Sequence, residues 1–491
     1  MTSRERPSVT PVPEDLFAPV TLGQRLAWID RFSALIVDRT DDLLEAMQVE
    51  VGKPAHEGLT NDIMPLLAAC RWLRRNLRSL LRPRRLRGAP IWMPGQRVEH
   101  ARAPLGRVAI VATWNYPVQL LGIQLLQAIA AGNRVVVKPS ERSPRTHGLL
   151  LDIARDAGLS DRDLSWTSSD RSAGQALLIG ERFDHIVFTG STAVGRAIAE
   201  LAAESLTPTT LELSGRDSAF VLDDADVELA ARTLWNAVTV NAGQTCIAPR
   251  RILVEGRAYR AFAAALAPLA AAARPRRLID AEAAGRCWTL LRGAVAAGGR
   301  SASGVIEAPE GAVLRPHAVL DCPVDADLVA GDHFGPAVAV LPVDDLTDAL
   351  RVHRGCDQHL ATSVFTRSRR RAEELRLVLG STNVIVNDAL LPAAHPAVSV
   401  GGRGESGWGL SRGVSGLLAM TRPVYCSRTS WLRTPIDPPS AKVLVAMRRM
   451  IRWLYGGGST VPSAVRTARV PPTGVPTAAA GAESPSRSLH E

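Results

Sequence analysis

Lysine is almost missing from this chain: it occurs only at positions 53, 138 and 442, although Lys and Arg together number 58. Where arginine is so strongly preferred, a lysine should survive chiefly where a compact ammonium fits and a planar guanidinium does not. The six cysteines, Cys70, Cys246, Cys287, Cys322, Cys356 and Cys426, lie far apart and include no C-x-x-C pair. That spacing suggests neither a metal site nor a disulfide framework, and it fits a reducing cytoplasm. No apolar run reaches the roughly eighteen residues of a membrane span, and "MTSRERPSVTPVPEDLF" has no stretch of signal-peptide length. The formal charge of +10 invites a nucleic-acid reading, but the arginines are spread along the chain and no recognition motif accompanies them. A nucleic-acid partner is not expected.

What is present is a folding composition, 46% hydrophobic and 22% charged over 491 residues, enough for two or three domains. Residues 22–81 carry helical periodicity, with Leu26, Ile29, Phe32, Leu35 and Ile36 on one stripe. From residue 107 short β-branched runs alternate with helical segments: "RVAIVAT", "RVVVKP", "HIVFTG" and "PTTLELSG" read as buried parallel strands. After residue 215 the alternation begins again, through "SAFVLDD", "RRILVEG", "PAVAVLPV", "ATSVFT" and "STNVIVN". This is the order of a doubly wound α/β sheet, met twice. Residues 456–491, rich in Gly, Ser, Pro, Thr and Ala, read as a disordered tail.

The stretch "VNAGQTCIAP" isolates one thiol, Cys246, which taken alone is more readily a small core residue than a nucleophile. Four other patches bear on it. "TWNYP" (113–117), "KPSE" (138–141), "FTGSTAVG" (188–195) and "LELSG" (211–215) each follow a strand, and in doubly wound sheets ligands bind outside the carboxyl ends of the strands. In this order, with Glu212 34 residues before Cys246, the five motifs resemble the aldehyde dehydrogenase superfamily. The short N-terminal arm, "ERFDHIVFTGST", "LTPTTLEL" and "GGRGESGWG" look most like its class 3 branch, which acts on fatty and aromatic aldehydes. The resemblance covers roughly residues 20–435.

It implies an α/β fold of two doubly wound Rossmann-like domains with a small β oligomerisation arm. An NAD(P)-binding domain is expected over 1–82 and 105–213, a catalytic domain over 214–410 and the arm over 83–104 and 411–435. A cytoplasmic homodimer is also implied. Chemically, a thiolate at Cys246 can attack an aldehyde and later leave, and the Asn115 amide with the Cys246 N–H can receive the oxyanion. Glu212 can activate the water that hydrolyses the thioester. Taken alone, Asn115 could instead cap the helix that begins near Pro117.

For the cofactor, NAD or NADP, the resemblance implies Trp114, Lys138, Ser140 and Glu141, with Lys138 and Glu141 on the adenosine ribose. Gly190, Ser191 and Gly195 open a helix whose N-terminus suits a pyrophosphate. Asp332 and Phe334 would meet the nicotinamide end. Two motifs depart from the family: "LELSGR" puts Ser214 where a glycine is usual, and "DHFGP" puts Asp332 where the family has Glu. These departures motivate a rival expectation, a catalytically degenerate scaffold that keeps the fold. Finally, Val443, Met447, Met450, Ile451 and Leu454 form one stripe of a basic helix over 439–455, with Arg448, Arg449 and Arg452 on the other side. It could lie on the inner membrane face or pack on protein.

Overall fold

A computed structural model describes residues 21–91, 95–390, 394–429 and 439–456. Contacts divide them into a large unit, residues up to 87 with 98–427, and a small one, 88–97 with residues from 428 onward. Of the tail expected over 456–491, residues 457–491 lie outside the described residues.

The large unit is built on two sheets. The first has six strands in the order Gly407–Trp408, Thr209–Glu212, His185–Thr189, Arg107–Val111, Arg134–Lys138, Leu164–Trp166. All neighbours run parallel except Gly407–Trp408, which is antiparallel to Thr209–Glu212. The chain starts in the middle at Arg107–Val111, winds outward to Leu164–Trp166, then returns to the other side. The crossover direction therefore reverses between Arg107–Val111 and His185–Thr189, and a crevice opens above that switch point. The parallel register sets Lys138 and Phe188 beside Val111, and Thr189 beside Glu212. The second sheet has seven strands, of which Ser218–Val221, Arg251–Glu255, Ala337–Val343, Ala361–Phe365 and Asn383–Val386 follow the expected runs. Its strands are parallel apart from Arg300–Ser301 at one edge.

Helix Pro117–Ala131 explains how the first sheet is held. Pro117 occupies its first position, where a missing N–H costs nothing, and Gly132 ends it in the left-handed region. All fifteen of its residues are buried. Leu121, Leu125 and Ile129 share one core with Phe32, Leu66 and Leu73 from the N-terminal helices. At roughly 1.5–3 kcal/mol per buried Leu or Ile, this helix is a large part of the unit's stability. Three glutamines inside it, Gln119, Gln124 and Gln127, are buried, and each is hydrogen-bonded.

Two details differ from the reading of the sequence. Gly407–Trp408, from the stretch expected in the catalytic domain, closes the edge of the first sheet. Residues 411–420, expected with the arm, include the short helix Gly413–Ala419, whose Leu417 lies in the core beside Leu121. Among the described residues, no helix is long and apolar enough to cross a membrane.

Candidate active site

Cys246 rides on a tightly folded loop. Asn241 and Ala242 are left-handed (φ 51° and 55°), as is Gly243 (φ 71°). Left-handed backbone costs a non-glycine residue roughly 1–2 kcal/mol, so other bonds must hold it. They do so from several directions. Glu57 accepts from the Asn241 N–H at 2.8 Å, and Asn241 Nδ2 donates to the carbonyls of Asn115 and Gln244. The buried Arg250 guanidinium donates to the carbonyls of Gly243, Thr245 and Gly335. A Cβ on Gly243 would lie 2.4 Å from the Gly335 carbonyl carbon, so only glycine lets these two loops approach.

Asn115 leaves strand Arg107–Val111 at the switch point and is 4% exposed. Its Nδ2 donates to the Gln244 carbonyl at 3.1 Å, which turns the amide toward the nucleophile loop and leaves its second N–H for another acceptor. The next residue, Tyr116, is joined through its hydroxyl to Thr245 Oγ1 at 2.5 Å. The loop after strand Arg107–Val111 is thus tied to the two residues that precede Cys246.

Glu212 ends its strand inside the protein, 5% exposed. Its Oε1 accepts from Ser411 Oγ at 2.6 Å, and its Oε2 accepts from Thr189 Oγ1 at 3.4 Å, which in turn accepts from Gln124 Nε2. Burial raises its pKa above the usual carboxylate range, opposed first by the charge of Arg412. Cys246 is half-buried, and its thiol is pushed up to about 12, by burial first and then by the charge of Glu212, with Arg412 opposing. Nucleophile, carboxylate and guanidinium therefore lie within one another's electrostatic reach.

Most of the residues expected to meet the cofactor end or follow strands of the first sheet. Lys138 Nζ donates to Glu141 Oε2 at 3.1 Å, and Arg171 Nε donates to Glu141 Oε1 at 2.8 Å. Burial raises the Glu141 pKa, but hydrogen bonds from Arg171 and Lys138 outweigh it and hold the carboxyl down to about 2. Ser140 is buried in the same loop, its N–H donating to His147 Nδ1. Ser191 caps helix Thr192–Glu204 through the Val194 N–H, so the helix's positive end faces the crevice. Gly190 folds back over Phe188, and Gly195 lets the helix pack on Leu213. Trp114 and Phe334 meet edge to face with centroids 5.8 Å apart. Asp332 is exposed beside them. An ammonium paired with a carboxylate, a helix N-terminus and an aromatic pair are the kinds of group that would hold a dinucleotide.

Ser214, in place of the usual glycine, is not left-handed, so its side chain brings no backbone strain; its carbonyl accepts from Ser406 Oγ. Sequence reading missed Ser411, Arg412, Gln124 and Thr189 around Glu212, and Glu57, Asn241, Tyr116 and Arg250 around Cys246. Tyr116, Thr189 and Asn241 lie within stretches the sequence singled out, but nothing local marked any of these residues as a partner of Cys246 or Glu212. Lys53 was marked by its rarity alone.

Two doubly wound sheets with a thiol, an amide and a carboxylate near their strand ends define an oxidoreductase of the dinucleotide-binding kind. The chain matches the aldehyde dehydrogenase family over residues 14–425, and it belongs to that family. It is similar to 4,4'-diapolycopene aldehyde oxidase of Methylomonas sp., 29% identical over 453 residues, 90% of this chain and 84% of the relative. It is likewise 29% identical over 399 residues to aldehyde dehydrogenase family 3 member A2 of Mus musculus, covering 79% and 81%. The fold superposes on a substrate-bound structure of Staphylococcus aureus AldH with a TM-score of 0.82 at 23% identity, covering 89% of this chain and 96% of that one. The protein is an NAD(P)-dependent aldehyde dehydrogenase most like the class 3 branch.

Proposed function

We propose that the protein oxidises apolar aldehydes, medium- or long-chain aliphatic or aromatic, to carboxylic acids through a thioester on Cys246. The observation that carries this reading is the joining of Asn115, the Cys246 loop and Glu212 from separate elements into one buried cluster. Cys246 Sγ adds to the aldehyde carbon, its proton leaves, and the C=O oxygen becomes an alkoxide. The free N–H of the Asn115 amide and the Cys246 backbone N–H receive that charge. Lys138 and Glu141 would hold the adenosine ribose of NAD(P)+, the 190–195 turn its pyrophosphate, and Trp114, Asp332 and Phe334 its nicotinamide end. Held there, it would accept the hydride that leaves the former aldehyde carbon as the alkoxide collapses to the thioester. Glu212 then takes a proton from water as that water attacks the thioester carbon, releasing the acid and the Cys246 thiol. Similarity to a relative named for a diapolycopene aldehyde supports an apolar substrate.

The test is Glu212→Gln with hexanal or benzaldehyde. The first equivalent of NADH should form quickly while steady turnover drops at least roughly a hundredfold. Loss of the first equivalent too would assign Glu212 to the thiol rather than to water. A wild-type enzyme inert toward every aldehyde offered, with either cofactor, would leave the scaffold reading.

For assembly, we infer a homodimer joined through the sheet that contains Gln96–Pro104 and Thr421–Thr429. In the small unit, helix Ala441–Tyr455 has no buried residue, and Val443, Met447 and Ile451 are exposed. Attachment to an anionic membrane surface and docking on protein both suit it. They differ in whether binding needs anionic lipid.

A further inference from the structure

Of the three lysines, Lys442 is exposed on the terminal helix and Lys138 belongs to the cofactor crevice. Lys53 takes no part in the chemistry above, yet its side chain is completely enclosed. Three groups meet its ammonium. Asp62 Oδ2 accepts from Nζ at 2.5 Å, the Asn115 carbonyl accepts at 2.8 Å, and the face of the Tyr116 ring lies 4.1 Å away. An ammonium has three N–H bonds arranged as a tripod, so each receiver has one. A flat, larger guanidinium could not address three receivers in that arrangement within the same volume.

Asp62 extends the contact. Its Oδ1 accepts from the N–H groups of Val118 and Gln119, each at 3.1 Å, in the first turn of helix Pro117–Ala131. Its negative charge therefore sits on the positive end of that helix. The Asn115 peptide is pinned through its carbonyl by Lys53, and the turn after it is pinned through its N–H groups by Asp62. The Asn115 amide projects from the residue between these two anchors and the strand.

We propose that Lys53 is a positioning residue for the reaction, its ammonium holding the Asn115 peptide so that the side-chain amide faces the oxygen that gains charge when Cys246 adds to the aldehyde. The proposal rests on the reading of Asn115 as an oxyanion donor. Asn241 Nδ2 also donates to the Asn115 carbonyl, at 2.9 Å, so the loop keeps one tether when Lys53 is changed. Loss of Lys53 frees the amide to turn without detaching the strand end.

Lys53→Met alone strands a buried carboxylate and is expected to destabilise the fold. The deciding variant is Lys53→Met with Asp62→Asn, which removes both charges and keeps an acceptor for the two helix N–H groups. The single-turnover rate of NADH formation should fall by roughly 10- to 100-fold. The melting temperature, cofactor Kd and aldehyde KM should stay near those of the unaltered enzyme, and Lys53→Arg should not restore the rate. Because Lys53 acts through Asn115, the pair of changes should cost little further when made in an Asn115→Ala background. A folded double variant with an unchanged single-turnover rate overturns the proposal, and so does full additivity with Asn115→Ala. If Asn115→Ala itself leaves the rate unchanged, the oxyanion reading fails and this inference falls with it.

Discussion

The interior around Cys246 and the rim around Lys138 are both made of charged and polar groups, but they are held in opposite ways. Inside, the Asn115 amide is set by the Gln244 carbonyl, and its peptide by Lys53 and Asn241. Glu212 is set by Ser411 and Thr189, and all of these partners are buried. At the rim, Lys138 is buried but its partner Glu141 is one-third exposed, and Arg171 beyond it is 79% exposed by side chain. An exposed ion pair is worth about 0–1 kcal/mol and can be exchanged for a ligand at little cost, whereas removing one partner of a buried pair costs about 3–5 kcal/mol. Groups that must keep their geometry while charge develops are enclosed. On the proposed reading, groups that must accept and release a cofactor have partners they can give up.

Cys246→Ser should break the interior without touching the rim. A hydroxyl is a far weaker nucleophile than a thiolate, so turnover should fall by at least roughly a thousandfold while cofactor affinity stays within about twofold. Near-normal turnover in that variant would refute the mechanism.

The two regions should also differ in their response to pH. Cys246 and Glu212 react when deprotonated, and both are held above their ordinary ranges, chiefly by burial. Their reactive fractions therefore grow as pH rises. In the cofactor-free enzyme, alkylation of Cys246 by iodoacetamide should accelerate about tenfold per unit between about pH 7 and 9. Glu141, held down to about 2, stays ionised throughout that range, so cofactor affinity should not follow. A flat alkylation profile would mean that the thiolate is already formed at neutral pH.

The smallest effect is expected at the rim. Lys138→Met should weaken cofactor binding by roughly tenfold, about 1.4 kcal/mol, while the single-turnover rate at saturating cofactor changes only a few-fold. The reverse pattern would place Lys138 with the interior groups.

Much of this division was legible before any fold was known. The runs "RVAIVAT", "RVVVKP" and "HIVFTG" appear as strands because a buried parallel strand is β-branched on both faces. Other parts escaped, helix Ala281–Ala296 and strand His317–Leu320 among them. Leu164–Trp166 is too short to show a pattern, Gly407–Trp408 is a two-residue edge, and helix Arg171–Gly180 lacks a strong apolar stripe. Around the site, Asn115, Glu212 and Cys246 were visible because nucleophile, amide and carboxylate recur in a fixed order. Ser411 was not, because a serine 199 positions from Glu212 carries no local sign of what it bonds.

By itself, the sequence determined the alternation of strands and helices and the kinds of chemistry available at its strand ends. These are properties of neighbouring residues: propensity, periodicity and side-chain reactivity act over a few positions. Only the tertiary structure decided which groups hold the reacting ones. It brought Lys53 and Asp62 beneath Asn115, Glu57 and Arg250 to the cysteine loop, and Ser411 and Arg412 to Glu212. A buried hydrogen bond depends on a distance of about 3 Å between atoms that hundreds of residues can separate, and only the closed core fixes that distance.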